Sequence, residues 1–454
     1  MTENAHLLRY PHPSSLRRTS MYALFLGICP RFAWTPHPVG GSPVSGALHL
    51  DIFHQPLRSR FFDSLKKLHR IEEEKIMGKK QESTTKIVAP QGKFDQRNQM
   101  HTQAAIGGLG DKAQKRWTTE SIDPFRRIFF PETRPQNVPM RSWRNVADGP
   151  LNPHAVEVND PKRMAKNVKE VALFLGADLT GICELNQAYV YSHTGLRIDF
   201  AKGTAGQEIY LPHKYAISIG VEMDYKRMRY APGWIDNAEV GLGYLNAARV
   251  AVALAAYIRE LGYPARAHFF INEWVLHVPI AVDAGLGELG RIGILLTRKY
   301  GPRLRLSTVT TDLPLAVDSP VDIGAAKFCE ICGKCAKNCP SQAIPHGGKD
   351  VVRGAEKWKL DDRTCQRFWV SNPNRWNDCA RCIAVCPWNR RDSLHHKFFA
   401  WTAKYSHSMR RLLLWTDDVV RGKHPRPVVK WLDYQEGGRR ATSVMDLIRN
   451  QAKE

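Results

Sequence analysis

No run of about 18 consecutive apolar residues occurs in the 454-residue chain, so composition alone offers no membrane-spanning helix. The longest early apolar stretch, Met21 to Ile28, is too short and is stopped by Pro30. Acidic residues are in deficit: 44 Asp and Glu stand against 66 Lys and Arg, a formal charge of +22. Such a balance favours an acidic partner, whether nucleic acid, anionic lipid or an acidic protein. The basic residues are scattered and form no single tract, so no specific nucleic acid is expected. Cysteine is almost absent outside one window. Of ten cysteines, eight fall between Cys329 and Cys386, and Cys29 and Cys183 stand apart. That excludes a disulfide framework spread over the chain and indicates reduced thiolates gathered to hold metal. Repeats of solenoid type are also missing, and the paired cysteine motifs are the one internal repeat.

The first of these motifs reads Cys329-Glu-Ile-Cys332-Gly-Lys-Cys335-Ala-Lys-Asn-Cys339-Pro340. The second reads Cys379-Ala-Arg-Cys382-Ile-Ala-Val-Cys386-Pro387, with Cys365 upstream. Three closely spaced thiolates wrap one iron–sulfur cubane, and the fourth, three residues further on and followed by proline, reaches the other. The spacing therefore assigns Cys329, Cys332, Cys335 and Cys386 to a first [4Fe–4S] cluster. Cys365, Cys379, Cys382 and Cys339 fall to a second, with a loop inserted between Cys365 and Cys379. Structural zinc is the alternative, but the third cysteine of the first motif and both Cys-Pro endings speak against it. Two adjacent clusters carry electrons one at a time, and the partner that suits them is an acidic ferredoxin or flavodoxin.

Elsewhere the chain divides by pattern. Residues 1–76 are rich in Pro, Ser and His without a sustained period. They read either as a degenerate export signal around Arg17-Arg18 or as a mis-assigned start ahead of Met77. Residues 77–158 read as an irregular wrapping segment with aromatics at Trp117, Phe125, Phe129, Phe130 and Trp143. From Asp160 a capped helix is expected to Leu175, then strands at Leu179–Cys183 and Tyr215–Val221. A buried Ala-rich helix follows at Leu245–Leu261, with strand-like runs at Glu273–Val282, Ile292–Thr297 and Leu306–Thr311. The fold class is α+β, an α/β-type sandwich over 159–318, with a ferredoxin-like module over 319–400 and a tail over 401–454 that packs on the core. Gly285-Leu-Gly287-Glu-Leu-Gly290 matches a dinucleotide fingerprint, with Asp312 about twenty residues on. The residues after it read as a strand where that fold needs a helix. The glycines instead suit a tight turn or close backbone approach to a large flat ligand.

Several segments resemble the catalytic subunits of corrinoid-dependent reductive dehalogenases. They are Gly176-Ala-Asp-Leu-Thr-Gly-Ile-Cys-Glu-Leu, Arg229-Tyr-Ala-Pro, Ile258-Arg-Glu-Leu-Gly-Tyr-Pro-Ala, Asp283-Ala-Gly-Leu-Gly-Glu-Leu-Gly-Arg, Tyr300-Gly-Pro-Arg and Thr311-Asp-Leu-Pro-Leu. The cysteine motifs, Cys386-Pro-Trp-Asn and Trp415-Thr-Asp-Asp continue the series. The resemblance covers about 160–434 and implies a nitroreductase-like domain holding a base-off corrinoid (cobalamin), beside the ferredoxin-like domain. It also implies reduction of an organohalide with release of halide. The signature Asp-x-His-x-x-Gly, which supplies a cobalt ligand in other B12 enzymes, is absent, as a base-off cofactor allows. By the resemblance Tyr244 is the proton donor, Arg305 the cation that supports it and Asn272 an amide that contacts substrate or tyrosine. Gly285, Gly287 and Gly290 fall to the cofactor side. A phenol donates a proton more readily when a fixed cation stabilises the phenolate left behind. The expected partners are a small organohalide and a low-potential electron donor, either a ferredoxin or flavodoxin or a membrane electron carrier. The expected location is cytoplasmic, with export and peripheral membrane attachment through a small anchor protein as the alternative. Two other readings stand: an epoxyqueuosine-reductase-like enzyme acting on tRNA, and a non-catalytic electron-transfer protein. Against the first, the glycine segment reads Gly-Glu-Leu-Gly-Arg where Gly-Trp-x-Gly-Lys is expected, and no helical repeats follow the cysteine module.

Overall fold

The computed structural model describes residues 83–111, 113–114, 140, 142–195, 205–371, 379–391 and 393–425. Arg17-Arg18, Cys29, Met77, the aromatics at 117, 125, 129 and 130, the loop 372–378 and everything beyond 425 lie outside the described residues. All described residues fall in one compact unit within residues 73–454.

A short helix, α1 (Met100–Ala105), precedes the regular part. Helix α2 (Pro161–Phe174) starts where Asp160 accepts hydrogen bonds from the amides of Lys162 and Arg163, with Pro161 in the first turn. Val168 and Ala172 lie on its buried face, and Gly176 at φ +106° turns the chain away. Strands β1 (Leu179–Glu184) and β2 (Tyr215–Glu222) follow. Then come α3 (Tyr225–Met228), α4 (Trp234–Glu260), β3 (Ala265–His268), α5 (His277–Asp283), the short pair β4 (Glu288–Leu289) and β5 (Leu295–Leu296), and β6 (Leu304–Thr311). The main sheet has the order β1-β2-β6-β3 and is antiparallel throughout.

Helices cover both faces of this sheet. Ile217, Ile219 and Val221 of β2 and Val309 of β6 share a core with Ala247, Ala251, Leu254 and Ile258 of α4 and with Val168 of α2. Ala216 and Cys183 point the other way, into a core with Ile280, Ala281 and Val282 of α5. Burial on both faces explains why β2 is apolar at almost every position, where a half-exposed strand alternates.

Three expectations need correction. The Ala-rich helix begins at Trp234, eleven residues before Leu245, and so contains Gly241 and Gly243. Each glycine costs about 1 kcal/mol of helical preference, and burial of the alanine face against the sheet outweighs that. Over Ile235–Glu260 this helix is long and apolar enough to cross a membrane by length and composition. Here it is the central core helix, packed on β2, β3 and β6. The run Glu273–Val282 is not a strand: its second half is α5, with Pro279 in the first turn, where a missing amide costs nothing. The sequence signal also missed β3, whose Ala-Arg-Ala-His has no β-former and is held as a strand by its pairing with β6.

The C-terminal part is helical. It runs α6 (Ala325–Cys332), α7 (Lys334–Lys337), a hairpin β7 (Asp350–Val352) and β8 (Ala355–Lys357), α8 (Asp362–Ser371), α9 (Arg381–Val385), α10 (Leu394–Tyr405) and α11 (His407–Arg421).

Candidate functional site: a two-cluster module beside a tyrosine–arginine pair

The two cysteine motifs fold as a pseudo-repeat. In each, a residue in the left-handed region opens a short helix: Gly333 at φ +58° before α7, and Ala380 at φ +42° before α9. These positions correspond, as Cys332-Gly-Lys-Cys335 and Cys379-Ala-Arg-Cys382. In the first motif the flanking thiols of Cys332 and Cys335 line one cavity, and α7 packs on α9.

Cys329, Cys332, Cys335 and Cys386 line one cavity, together with Phe328 and Trp388. This is the set that spacing assigned to the first cluster, including the distant Cys386. Among the described residues no three His, Cys, Asp or Glu side chains converge closely enough to hold a single metal ion. Thiols that ring a cavity without converging suit a cubane and not zinc. The indole N–H of Trp388 is buried without a hydrogen-bond partner, and cluster sulfides accept such bonds. Burial pushes the Cys329 thiol up to about 12 and the Cys332 thiol to about 11, and raises Cys335 and Cys386 too. Metal ligation therefore has to drive deprotonation here. Of the second set, Cys339, Cys365 and Cys382 pack into the same apolar core as the first, and Cys379 is buried at the start of α9.

The motifs that border the module hold it in place. Glu288 accepts from the amides of Ala325 and Ala326, at 2.6 and 3.1 Å, and so caps α6, the helix that carries Cys329 and Cys332. Arg291 donates to the carbonyl of Cys329 at 3.0 and 3.1 Å and to those of Pro345 and Gly347. Between them the glycines answer to packing. A Cβ on Gly285 would lie 2.5 Å from the Ser319 carbonyl oxygen, one on Gly287 2.1 Å from that of Leu296, and one on Gly290 2.8 Å from the Leu296 side chain. The structure thus sets Gly285 and Gly287, ahead of β4, against the protein's own backbone, and Gly290, which opens the β4–β5 turn, against the Leu296 side chain. Likewise Gly301 abuts the Trp388 carbonyl oxygen, 2.2 Å from where its Cβ would be. Buried Arg303 joins Glu222 of β2 (2.6 Å) to the carbonyl of Arg390 (2.7 Å). Tyr300-Gly-Pro-Arg is therefore the seat for Cys386-Pro-Trp-Asn.

Tyr244 and Arg305 come together as the resemblance implies. Arg305 lies on β6 and shares a face with Ser307, whose hydroxyl donates to the Ala247 carbonyl of α4 at 2.8 Å. The guanidinium stands 4.7 Å from the centre of the Tyr244 ring. Gly243 makes room: a Cβ there would meet the Arg305 Cγ at 2.8 Å. Tyr244 is well inside α4, not at its start. Its ring stacks on Phe270, with centroids 4.3 Å apart and planes 20° from parallel. Asn272 is two residues on, after Ile271, whose φ of +75° is a strained value for a β-branched residue. The Asn272 Oδ1 accepts from Arg266 at 3.3 Å, and its Nδ2 is buried without a hydrogen-bond partner. Arg266 in turn pairs with Asp148 and stacks 3.4 Å over the Trp274 ring. Tyr244 and Cys382 both pack against one small apolar cluster containing Met223, Met228 and Ile383. The tyrosine thus stands at the seam between the sheet and the cluster module. Gly243, Glu288, Arg291 and Arg303 carry no signal that single-sequence reasoning weighs. Glu288, Arg291 and Arg303 lie within segments that carry the resemblance, and Gly243 lies in none of them.

Fold and site together define a two-cluster iron–sulfur redox protein with a tyrosine–arginine pair beside the clusters. Residues 328–390 match the family model of the 4Fe-4S dicluster domain. The chain is 38% identical over 275 residues to the tetrachloroethene reductive dehalogenase of Dehalobacter restrictus, covering 51% of this chain and 49% of that protein. It is 30% identical over 294 residues to the enzyme of the same name from Sulfurospirillum multivorans, covering 58% of each. A solved catabolic reductive dehalogenase, in complex with 3-bromo-4-hydroxybenzoic acid, superimposes with a TM-score of 0.69 at 30% identity. That match covers 75% of this chain and 48% of the other. The chain spans about half the length of the curated relatives it matches. An epoxyqueuosine reductase from Aliivibrio fischeri is 32% identical over only 136 residues, 29% of this chain. The resemblance read from the motifs is thereby borne out: the chain is related to reductive dehalogenases.

Proposed function

We propose that the protein is a reductive dehalogenase, reducing a small organohalide and releasing halide with electrons passed through two [4Fe–4S] clusters. The observation that supports this best is the joint placement of Tyr244 and Cys382 on one apolar cluster. A proton donor and an electron carrier there flank the same seam. A base-off corrinoid, in a nitroreductase-like domain, supplies when bound the reducible metal at which a carbon–halogen bond breaks. The buried unpartnered Nδ2 of Asn272 and the half-buried Tyr244 are the polar groups that would face it.

The roles of the chain's own residues follow from their chemistry. The Tyr244 hydroxyl delivers a proton to the dehalogenated carbon. The Arg305 guanidinium, held over the ring, stabilises the negative charge left on the phenol. Arg266 has only donors to offer, so it fixes the Asn272 amide with its oxygen inward and its NH₂ free to donate to substrate. Phe270 and the apolar cluster exclude water. An external low-potential carrier of acidic surface suits the charge of +22.

The test is anaerobic purification with reconstitution of iron, sulfide and a corrinoid, then iron and cobalt analysis and halide release from chlorinated and brominated compounds. The expected result is full iron, bound cobalt and halide released only with a low-potential reductant. Iron without bound cobalt, and no halide, would leave an electron-transfer protein in its place.

A further inference from the structure

We propose that Asp417 is a charge hub that lowers the reduction potential of the first cluster. This rests on the two-cluster reading above. Asp417 lies on α11 with its side chain 1% exposed, and three cations meet on it. Lys334, itself buried between Cys332 and Cys335, stands 2.5 Å from Oδ2. Arg390 pairs with Oδ1, and Arg421 stands 3.6 Å from the same oxygen. Each cation also borders residues that line the first cluster's cavity, Lys334 by lying between Cys332 and Cys335 in the chain. Arg421 donates to the carbonyls of Cys386 (3.2 Å) and Ala384 (2.9 Å). Arg390 donates to the carbonyl of Pro387 at 3.2 Å. Asp418 adds a second carboxylate 2.7 Å from Lys334.

A buried ion cluster of this kind is a weak device for stability, because desolvation offsets the attraction. Its electrostatic reach, however, is long where water does not screen it. Reduction adds one negative charge to a cluster, so nearby cations favour the reduced form and nearby carboxylates oppose it. Asp417 neutralises cations that would otherwise raise the potential. The second motif is built differently. At the position equivalent to Lys334, buried Arg381 donates to the carbonyls of Ala231 and Pro425. Arg381 thus keeps its charge against neutral carbonyls, as Arg291 does at the first cluster's cavity, whereas Lys334, Arg390 and Arg421 are neutralised on a carboxylate. Asp417 therefore acts on the first cluster through these three cations and has no counterpart on Arg381 among the described residues.

Redox potentiometry of the iron-loaded protein, followed by electron paramagnetic resonance, tests this. Asp417→Asn should raise one midpoint and leave the other, changing the reduced-to-oxidised ratio of that cluster about tenfold at fixed potential, or ~59 mV for one electron. Lys334→Gln should lower the same midpoint. If Lys334→Gln loses iron, Arg421→Gln carries the same sign. Opposite shifts on one cluster at full iron content support the hub, since a purely structural role moves no potential in two directions. Unshifted midpoints, or shifts of the same sign, overturn it. Wild-type protein without iron would instead overturn the cluster reading itself.

Discussion

A phenol faced by a guanidinium and stacked on a second ring is held in one orientation. That is the arrangement at Tyr244, between Arg305 and Phe270. Removing the hydroxyl alone keeps the ring, the stacking and the cation–π contact. Tyr244→Phe should therefore fold and load its cofactors as the parent does, yet lose about 100-fold or more in halide release, the range of a lost general acid. Iron and cobalt content measured beside turnover checks it, and full turnover in a fully loaded variant removes the role. The cluster cysteines were legible because their spacing is itself the chemistry. That Tyr244 and Arg305 stand together could be expected only through resemblance, for a tyrosine on an apolar helix carries no mark by itself. Gly243 carried none either: its use is the 2.8 Å approach of Arg305, a distance across two elements that no single segment encodes. The Asp417 hub was unreadable for the same reason, since only Arg421 stands near it in the chain, four residues on along α11, while Lys334 and Arg390 meet it only in space.

At the scale of the element, α4 carries two demands that oppose each other at Gly243. Gly243→Ala removes about 1 kcal/mol of unfavourable helical propensity. The added methyl displaces the Arg305 side chain near its base, where it cannot swing aside. Thermal stability should stay within a few degrees of the parent while halide release drops at least several-fold. A variant that keeps both would show that the Arg305 position is not critical. The same conflict explains why the helix looked shorter in the sequence, as local preference argues against residues 234–244 and burial against the sheet overrides it. Strand β3 shows the reverse case, with pairing to β6 supplying what Ala-Arg-Ala-His lacks.

That strand also sets a pH dependence. His268 is fully buried; its Nδ1 accepts from the Trp274 amide at 3.2 Å, so the proton sits on Nε2, 2.9 Å from the Thr310 hydroxyl. Burial first, and Arg266 second, hold its pKa well below 6.5. His213, on the same threonine, is also lowered by burial. The unfolded chain takes up these protons near pH 6.5 and the folded chain does not, so stability rises with pH. Unfolding free energy should be level above about pH 7.5 and fall below pH 6.5, by up to about 1.4 kcal/mol per unit for each histidine. Urea titrations at pH 7.5 and 5.5 measure it, and a His268→Gln variant should flatten the slope. An unchanged midpoint in the parent would contradict a neutral buried His268.

For the molecule as a whole, the clusters are core as well as chemistry. Cys332, Cys335, Cys339 and Cys386 belong to the same apolar core as Phe328, Ile344 and Trp388, and α10 and α6 close over it. A ligand set that is part of the core makes binding free energy into folding free energy. Iron removal therefore leaves buried thiols around a space that no side chain fills, and the loss should spread along contacts the cavity supports. Those contacts run through Arg291, Arg303 and Asp417, which tie the module to β2, to the β4–β5 turn and to α11. The four-stranded sheet has its own core on α2 and α4, independent of any cysteine ligand. Chelation under reducing conditions should accordingly produce two outcomes in one molecule. Protease should cut first between about residues 325 and 421, while amides of β2, β6 and α4 keep slow hydrogen exchange. Equal loss of protection in the sheet would show that the two cores fold as a single unit. Unchanged protection in α6 and α9 would show that the module stands without its metal. Between those limits, the ordered loss expected here follows from which side chains share a core with the thiols and which do not.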